Sequence, residues 1–244
     1  MSAKARKIQL MNPGTMTVKY WMGRFVKRLN RFAGLVDCDG EVLPVHVPSS
    51  GRMEELLIPG AVAVVEPFPK GGTQKTRGRL SKILFEERVW VSIDSHLPNR
   101  LVREAIKAGE LPEFVDYQKL KPESTYGDSR MDFSLVLQEH KSLIEVKSVT
   151  LVEDGLALFP DAPTVRGARH VRELTDAAAQ GYLAFLVFVI QRGDARAFSP
   201  HKKRDPDFAE AVEHASANGV TILAYDCCVT PEDVTIHGPI PVRL

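Results

Sequence analysis

The sequence predicts an α/β protein of two domains: a small β-barrel over residues 1–86 and an α/β/α sandwich with a mixed central sheet over residues 87–244. Two observations predict this division. Short runs of β-like alternation extend from Gly23 to about Ile93, and the hydrophobic period becomes helical from Pro98. The charge divides as well, since residues 1–86 hold 14 Lys and Arg against 7 Asp and Glu, while the remainder holds 18 against 24.

The predicted barrel consists of short strands joined by turns. β-like runs occur in RFVKRLNRFAGLVD, EVLPVHV, AVAVVEPF, RLSKILF and RVWVSI, with a DG turn at residues 39–40 and the loop PKGGTQKTRG. The segment GRMEELLIPG interrupts them; it has room for one helical turn and ends at Pro59 and Gly60. About five short strands, one small helical turn and a basic surface indicate an OB-like barrel.

The C-terminal half alternates helices with strands. PNRLVREAIKAGEL predicts a helix whose apolar stripe is formed by Leu101, Val102, Ala105 and Ile106. Three strands follow, around residues 119–124, 130–137 and 142–150, and then the helix ARHVRELTDAAAQG. YLAFLVFVIQ is apolar on both faces, as a covered central strand should be, and the helix DPDFAEAVEHASANG and the strand VTILAYDC come after it. This order predicts a mixed sheet between helices.

Composition restricts the compartment and the partners. The three cysteines include the adjacent Cys227 and Cys228 and no C-x-x-C pair, which argues against a disulfide framework and a thiolate zinc site. The longest apolar run, YLAFLVFVI, is too short to cross a bilayer, and the N-terminus lacks the apolar segment of a signal peptide. We therefore expect a cytoplasmic protein without a membrane partner. The basic half suits phosphates, whereas the acidic half can bind a divalent cation.

The strands on either side of QEHK can be aligned by their apolar residues. A four-residue loop, 138–141, pairs Leu135 with Ile144 and Phe133 with Val146, so that one face of the hairpin is apolar. The opposite face then carries Asp132 across from Lys147 and diagonal to Glu145. We therefore expect three charged side chains to project together from the middle of the sheet.

Two neighbouring carboxylates repel unless a cation lies between them, and their hard oxygen atoms suit Mg²⁺ or Mn²⁺ rather than zinc. Asp132 and Glu145 are the candidate metal ligands, and Lys147 beside them could stabilise charge developing on a phosphate. All three are candidate catalytic residues. The alternative is a solvated strand face on which Asp132 and Lys147 form an ordinary cross-strand ion pair.

Several segments resemble the bacterial sugar fermentation stimulation protein (SfsA) family nearly from end to end. They include RFVKRLNRFAGLVDCDG, PSSGRMEELLIPGA, YGDSRMDF and, most specifically, EVKSVTL followed by FPDAPTVRGARH. The resemblance implies an OB-like N-terminal domain joined to a PD-(D/E)xK nuclease-like domain. It also implies DNA binding without strong sequence preference and a part in regulating maltose use.

Under this resemblance the nuclease motif falls on Asp132, Glu145 and Lys147. Proteins with this motif often add a glutamate from the first helix, for which Glu104 is a candidate. Glu123, near the strand that leads to Asp132, is a comparable candidate. Either could instead be an ordinary solvated residue.

Two groups of cationic residues are candidate DNA contacts. The barrel supplies most of them, along its first strand and in its glycine-rich loop: Arg24, Lys27, Arg28, Arg31, Lys75, Arg77 and Arg79, with Lys70 in the same loop. The loop FPDAPTVRGARH adds Arg166 and Arg169 at the start of a helix, where guanidinium groups attract phosphate. We expect Phe25 and Phe32 to be core residues rather than platforms for bases. His170 alone does not indicate a metal ligand.

The sequence is compatible with two functions. The protein could be a DNA-binding nuclease dependent on Mg²⁺ or Mn²⁺, or a DNA-binding regulator of sugar metabolism that retains the carboxylates without turnover.

Overall fold

A computed structural model describes residues 20–69 and 74–244. It divides the chain into two compact units. One comprises the described residues up to Ser95 together with Val229–Asp233, and the other comprises His96–Cys228 and Val234–Leu244. The predicted boundary at residue 86 falls between two strands that pair with each other, so strand pairing extends the first unit to Ser95.

The first unit is a closed barrel with one added strand. Its strands are β1 (Trp21–Asn30), β2 (Ala33–Cys38), β3 (Glu41–His46), β4 (Val62–Pro67), β5 (Gly78–Phe85) and β6 (Val89–Ser92). They are ordered β3-β2-β1-β4-β5-β6, and a parallel pairing of β3 with β5 closes the barrel. This closed five-stranded arrangement confirms the predicted OB-like barrel.

The barrel closes at Gly78, which pairs with Val45 of β3 on one side and with Pro67 of β4 on the other. A Cβ atom at Gly78 would lie 2.6 Å from the carbonyl oxygen of Glu66, so only glycine permits this approach. The core inside the barrel is apolar and fully buried, and includes Phe25 and Ile83. The segment predicted as a helical turn contributes Met53 and Leu56 to this core.

The second unit is an α/β sandwich. Its helices are α1 (Leu97–Ala108), α2 (Val165–Ala179) and α3 (Pro206–Ala217), with a short 3-10 helix at Pro112–Phe114. The main-sheet strands are β7 (Gln118–Tyr126), β8 (Ser129–Leu137), β9 (His140–Val149), β12 (Leu183–Ile190), β14 (Val220–Val229) and β15 (Val234–Pro239). A second, three-stranded sheet contains β10 (Leu151–Glu153), β11 (Leu156–Phe159) and β13 (Ala197–Pro200).

The main sheet is ordered β15-β14-β12-β9-β8-β7 and is mixed. β7, β8 and β9 pair antiparallel, whereas β12 lies parallel to both β9 and β14. β12 is the predicted covered strand and is buried from Ala184 to Ile190. The predicted stripe of α1 is buried too, and α2 packs on β12 with α3 beside it. The predicted mixed α/β architecture is confirmed.

In the described ranges, no helix combines the length and the apolar character needed to cross a membrane.

Candidate metal centre

The β8–β9 hairpin carries the candidate site, but its register differs from the prediction. Leu135 pairs with Ser142 and Phe133 with Ile144, so the loop contains two residues instead of four. Gln138 and Glu139 both have positive φ, 49° and 69°, as a two-residue turn that follows the twist of the strands requires. The predicted pairings are therefore wrong by two residues. A two-residue shift leaves each side chain on its face, so the apolar face is as predicted.

Glu145 and Lys147 project from β9 toward α2. They alternate along the strand with Ile144 and Val146, which face the other way. Lys147 Nζ donates to Glu145 Oε1 at 2.5 Å, and both side chains are largely buried. Burial raises the pKa of Glu145, but the charge of Lys147 and a hydrogen bond from His170 outweigh it, so the pKa lies below its ordinary value.

Asp132 joins this pair from β8. Extending the observed register by one residue sets it opposite Glu145, closer to that carboxylate than the predicted register would place it. Its Oδ2 accepts the backbone N–H of Val146 at 2.7 Å, and its Oδ1 accepts the Asn99 side-chain amide at 2.6 Å. Burial, and then repulsion from Glu145, raise the pKa of Asp132 to about 6 despite these hydrogen bonds and the charge of Lys147.

The three residues chosen from the sequence therefore lie together, and two further residues hold them. Asn99, near the start of α1, bonds to Asp132, and His170 of α2 bonds to Glu145 Oε1 through Nδ1 at 2.5 Å. Sequence reasoning missed both residues in these roles. The only available signal was the spacing of Arg166 and His170, which puts them on one face of a helix.

The donor set fits a hard divalent cation. Glu145 Oε2 is buried and has no hydrogen-bond partner among residues 20–69 and 74–244, and the neighbouring Asp132 carboxyl resists ionisation. A cation would satisfy the first atom and neutralise the second group. No group of three or more His, Cys, Asp or Glu side chains that could hold a metal occurs in the described ranges. The protein would thus supply two carboxylates, and water or phosphate oxygens the remaining ligands, as Mg²⁺ commonly requires.

The two additional acidic candidates lie elsewhere. Glu104 is exposed on α1, and Glu123 is exposed on β7, where its ion pair is with Arg130. Within the described residues, neither forms a hydrogen bond or an ion pair with Asp132 or Glu145. Asn99, five residues before Glu104 on α1, is the helix residue that contacts the site.

Three of the candidate DNA contacts in the barrel are engaged within the protein. Arg28 donates to the backbone carbonyls of several residues, including Gly51 and Arg52. Arg79 lies between Glu66 and Asp94 and forms ion pairs with both. Arg24 donates to the carbonyl of Gly60 but remains exposed.

The remaining described candidates are exposed, although Arg166 also donates to His170 Nε2. Lys27, Arg31, Lys75 and Arg77 are exposed on the barrel, and Arg166 and Arg169 are exposed at the start of α2. Lys70 lies outside the described residues. Phe25 is buried as expected, but the expectation for Phe32 is wrong: it is 50% exposed, because it lies in the turn between β1 and β2 rather than on an inward-facing strand position.

The chain combines a closed five-stranded OB barrel with a mixed α/β sandwich, and the central hairpin of the sandwich carries two carboxylates and a lysine. These features define a class of two-domain proteins. Two family models cover these units. The "SfsA N-terminal OB domain" matches residues 26–93, and the "Sugar fermentation stimulation protein RE domain" matches residues 96–233. The chain belongs to the sugar fermentation stimulation protein (SfsA) family.

Individual relatives agree with this assignment. A sugar fermentation stimulation protein homolog of Desulforamulus reducens is 46% identical over 220 residues, covering 90% of this chain and 91% of its own. The homolog of Symbiobacterium thermophilum is 45% identical over 235 residues, with 90% and 93% covered. The solved structure of Pyrococcus furiosus SfsA in complex with Ca²⁺ superposes with a TM-score of 0.85 at 30% identity, covering 97% of this chain and 100% of that one.

Proposed function

We propose that this protein binds DNA and hydrolyses its phosphodiester bonds with Mg²⁺ or Mn²⁺ held by Asp132 and Glu145. The observation that carries the proposal is Glu145 Oε2, which is buried and has no partner among the described residues. It lies beside Asp132, whose raised pKa opposes ionisation, and beside the cationic Lys147. The Ca²⁺ complex of the Pyrococcus protein supports it, because Ca²⁺ and Mg²⁺ share a preference for oxygen ligands.

Each residue of the site has a separate proposed role in catalysis. When bound, the cation supplies an activated water and polarises a phosphoryl oxygen. Asp132 presents one lone pair on each oxygen beyond those used by Asn99 and Val146, while Glu145 presents its whole Oε2. Lys147 holds a positive charge beside these carboxylates, where it stabilises negative charge developing on the phosphate.

The barrel is the proposed main DNA contact. Lys27 and Arg31 are exposed on either side of the half-exposed Leu29, and Phe32 follows Arg31 in the turn. Cations bind the backbone phosphates whatever the base, and an exposed aromatic ring stacks on any unpaired base. This combination favours DNA that is partly single-stranded and predicts little sequence preference. Arg166 and Arg169 would contact phosphate near the metal centre.

Incubation of the purified protein with plasmid and with linear single-stranded DNA, in Mg²⁺, Mn²⁺ or EDTA, tests the proposal. We expect cleavage that requires the cation and that Asp132→Ala or Glu145→Ala abolishes, while both variants still bind DNA. Lys147→Ala should retain the cation but lose about 10²-fold or more in turnover. Glu104→Ala and Glu123→Ala are matched controls, since each removes an exposed carboxylate elsewhere and should leave cleavage unchanged.

Calorimetric titration with Mn²⁺ distinguishes the possible outcomes. Wild-type Mn²⁺ affinity in both Asp132→Ala and Glu145→Ala would show that the metal site is elsewhere. Cation binding without cleavage of any DNA would instead support a regulator of sugar fermentation, the role that the names of the relatives describe.

A further inference from the structure

Glu145 holds its two carboxylate oxygens in very different surroundings. Oε1 accepts two hydrogen bonds of 2.5 Å, one from Lys147 Nζ and one from His170 Nδ1. Oε2 is buried and, in the described part of the chain, has no partner. Both hydrogen bonds of the carboxylate are therefore made by Oε1, and Oε2 is available for a ligand.

The contact made by Arg166 fixes the tautomer of His170. Arg166 Nε donates to His170 Nε2 at 3.3 Å. A guanidinium group can only donate, so Nε2 must accept, and the hydrogen of a neutral imidazole is then on Nδ1. His170 is 3% exposed, so water does not compete for either nitrogen. Hydrogen bonds thus run in one direction, from Arg166 through His170 to Glu145.

Hydrogen bonds also fix the backbone at the start of α2, the helix that carries Arg166 and His170. Thr164 caps α2 by accepting the N–H of Gly167 at 3.0 Å, and the N–H of Thr164 donates to Asp205 at 2.7 Å. Asp205 also caps α3 through the N–H of Phe208 at 3.1 Å. A Cβ atom at Gly167 would lie 2.6 Å from the Thr164 methyl group, so glycine is what allows the first turn of α2 to close on its cap. The imidazole therefore approaches Glu145 from a fixed point.

We propose that His170, oriented by Arg166, is a positioning residue that turns Glu145 so that Oε2 meets the divalent cation. The inference rests on the proposed function and adds residues that do not touch the metal. A hydrogen bond to the oxygen that does not ligate the metal restricts rotation of the carboxylate. His170 supplies this bond to Oε1, so that Lys147 is not the only partner of that oxygen. Loss of such a supporting residue in metal sites typically lowers metal affinity about 10- to 100-fold.

Variants of His170 test the proposal by Mn²⁺ titration calorimetry. The side-chain amide of His170→Asn can occupy the place of Nδ1 and should keep the affinity within a few-fold of wild type. His170→Gln places its amide near the former Nε2, and His170→Ala has no donor, so both should bind about 10- to 100-fold more weakly. Arg166→Ala should weaken binding less than His170→Ala does, whereas Arg172→Ala, an exposed arginine on the same helix that pairs with Asp207, should have no effect.

A second measurement needs no metal. Long-range ¹H–¹⁵N NMR spectra of protein labelled at histidine should contain one ring, absent from the His170→Asn spectrum, with hydrogen on Nδ1 and none on Nε2. The opposite tautomer would overturn the proposal, as would wild-type Mn²⁺ affinity in His170→Gln and His170→Ala. The Asn and Gln pair decides the matter if His170→Ala fails to fold. Absence of Mn²⁺ binding by the wild type would overturn the proposed function together with this inference.

Discussion

Asp132 is the residue whose titration most directly reports the candidate site. Burial, and then the charge of Glu145, raise its pKa to about 6, so a proton competes with any cation below that pH. We expect Mn²⁺ affinity to fall about tenfold for each pH unit below about 6 and to level off above about 7. Calorimetric titrations across this range test it, and a flat profile would mean that Asp132 does not ligate the cation.

Because of the same raised pKa, the charged form of Asp132 lowers the stability of the folded protein when no cation is present. Because its folded pKa lies above the ordinary value, its contribution is favourable only at low pH and is lost as the pH rises toward about 6. We expect Asp132→Asn to leave the free energy of unfolding unchanged or to raise it in EDTA at about pH 7.5, because the variant removes the buried charge. Its amide oxygen can accept the Val146 N–H, and its NH2 group can donate to the oxygen of Asn99 once the Asn99 amide flips.

Urea unfolding measures this change. Asp132→Ala is the control, because it leaves the Val146 N–H and the Asn99 amide without their acceptor and should lower stability. Equal destabilisation by the Asn and Ala variants would contradict the prediction and would identify Asp132 as an ion-pair partner with a structural role.

At the scale of single residues the sequence was informative about chemistry and poor about exposure. Residue types and spacing identified Asp132, Glu145 and Lys147, which the fold brings together. Nothing in the spacing distinguishes Arg79, held between two carboxylates, from the exposed Arg77 two positions away. Phe32 likewise follows the alternation of a strand, but the chain already turns there, so the ring faces solvent.

At the scale of elements, the β8–β9 hairpin shows which information a pattern lacks. Alternation determines which face each side chain occupies, and that prediction was right. It cannot distinguish loops that differ by two residues, because both keep the same faces, and Gln138-Glu139 lacks the Asn-Gly signature of a two-residue turn. The small sheet of β10, β11 and β13 was missed for a related reason, since three- and four-residue strands are too short to display a period.

The turn gives a test of the observed register. Gln138 and Glu139 both occupy the left-handed region, which costs non-glycine residues roughly 1–2 kcal/mol each. Replacing them with Asn and Gly should raise the free energy of unfolding by about 1 kcal/mol, measured in urea. Lys141→Gly is the control: Lys141 pairs with Val136 within the strands, so glycine should destabilise there. Equal tolerance at both places would favour the four-residue loop.

At the scale of the molecule, the asymmetric charge leads to a prediction about salt. DNA affinity should fall steeply with salt concentration and vary little between sequences. Lys75→Ala with Arg77→Ala should reduce the slope of log affinity against log salt by about 2, because both side chains are exposed. Arg79→Ala should leave the slope nearly unchanged and instead destabilise the barrel. A slope that responds to Arg79 alone would place the phosphate contact on the paired residue.

Residues 229–233 belong to the barrel unit although they come from the far end of the chain. Glu232 accepts the hydroxyl of Tyr20, and the carbonyl of Pro231 accepts Lys82 Nζ at 3.1 Å. A break after Ser95 therefore produces two pieces, the second of which carries part of the first unit. Fragments 1–95 and 96–244 expressed together should co-purify as a split protein, and substitutions at Glu232 should weaken their reassembly.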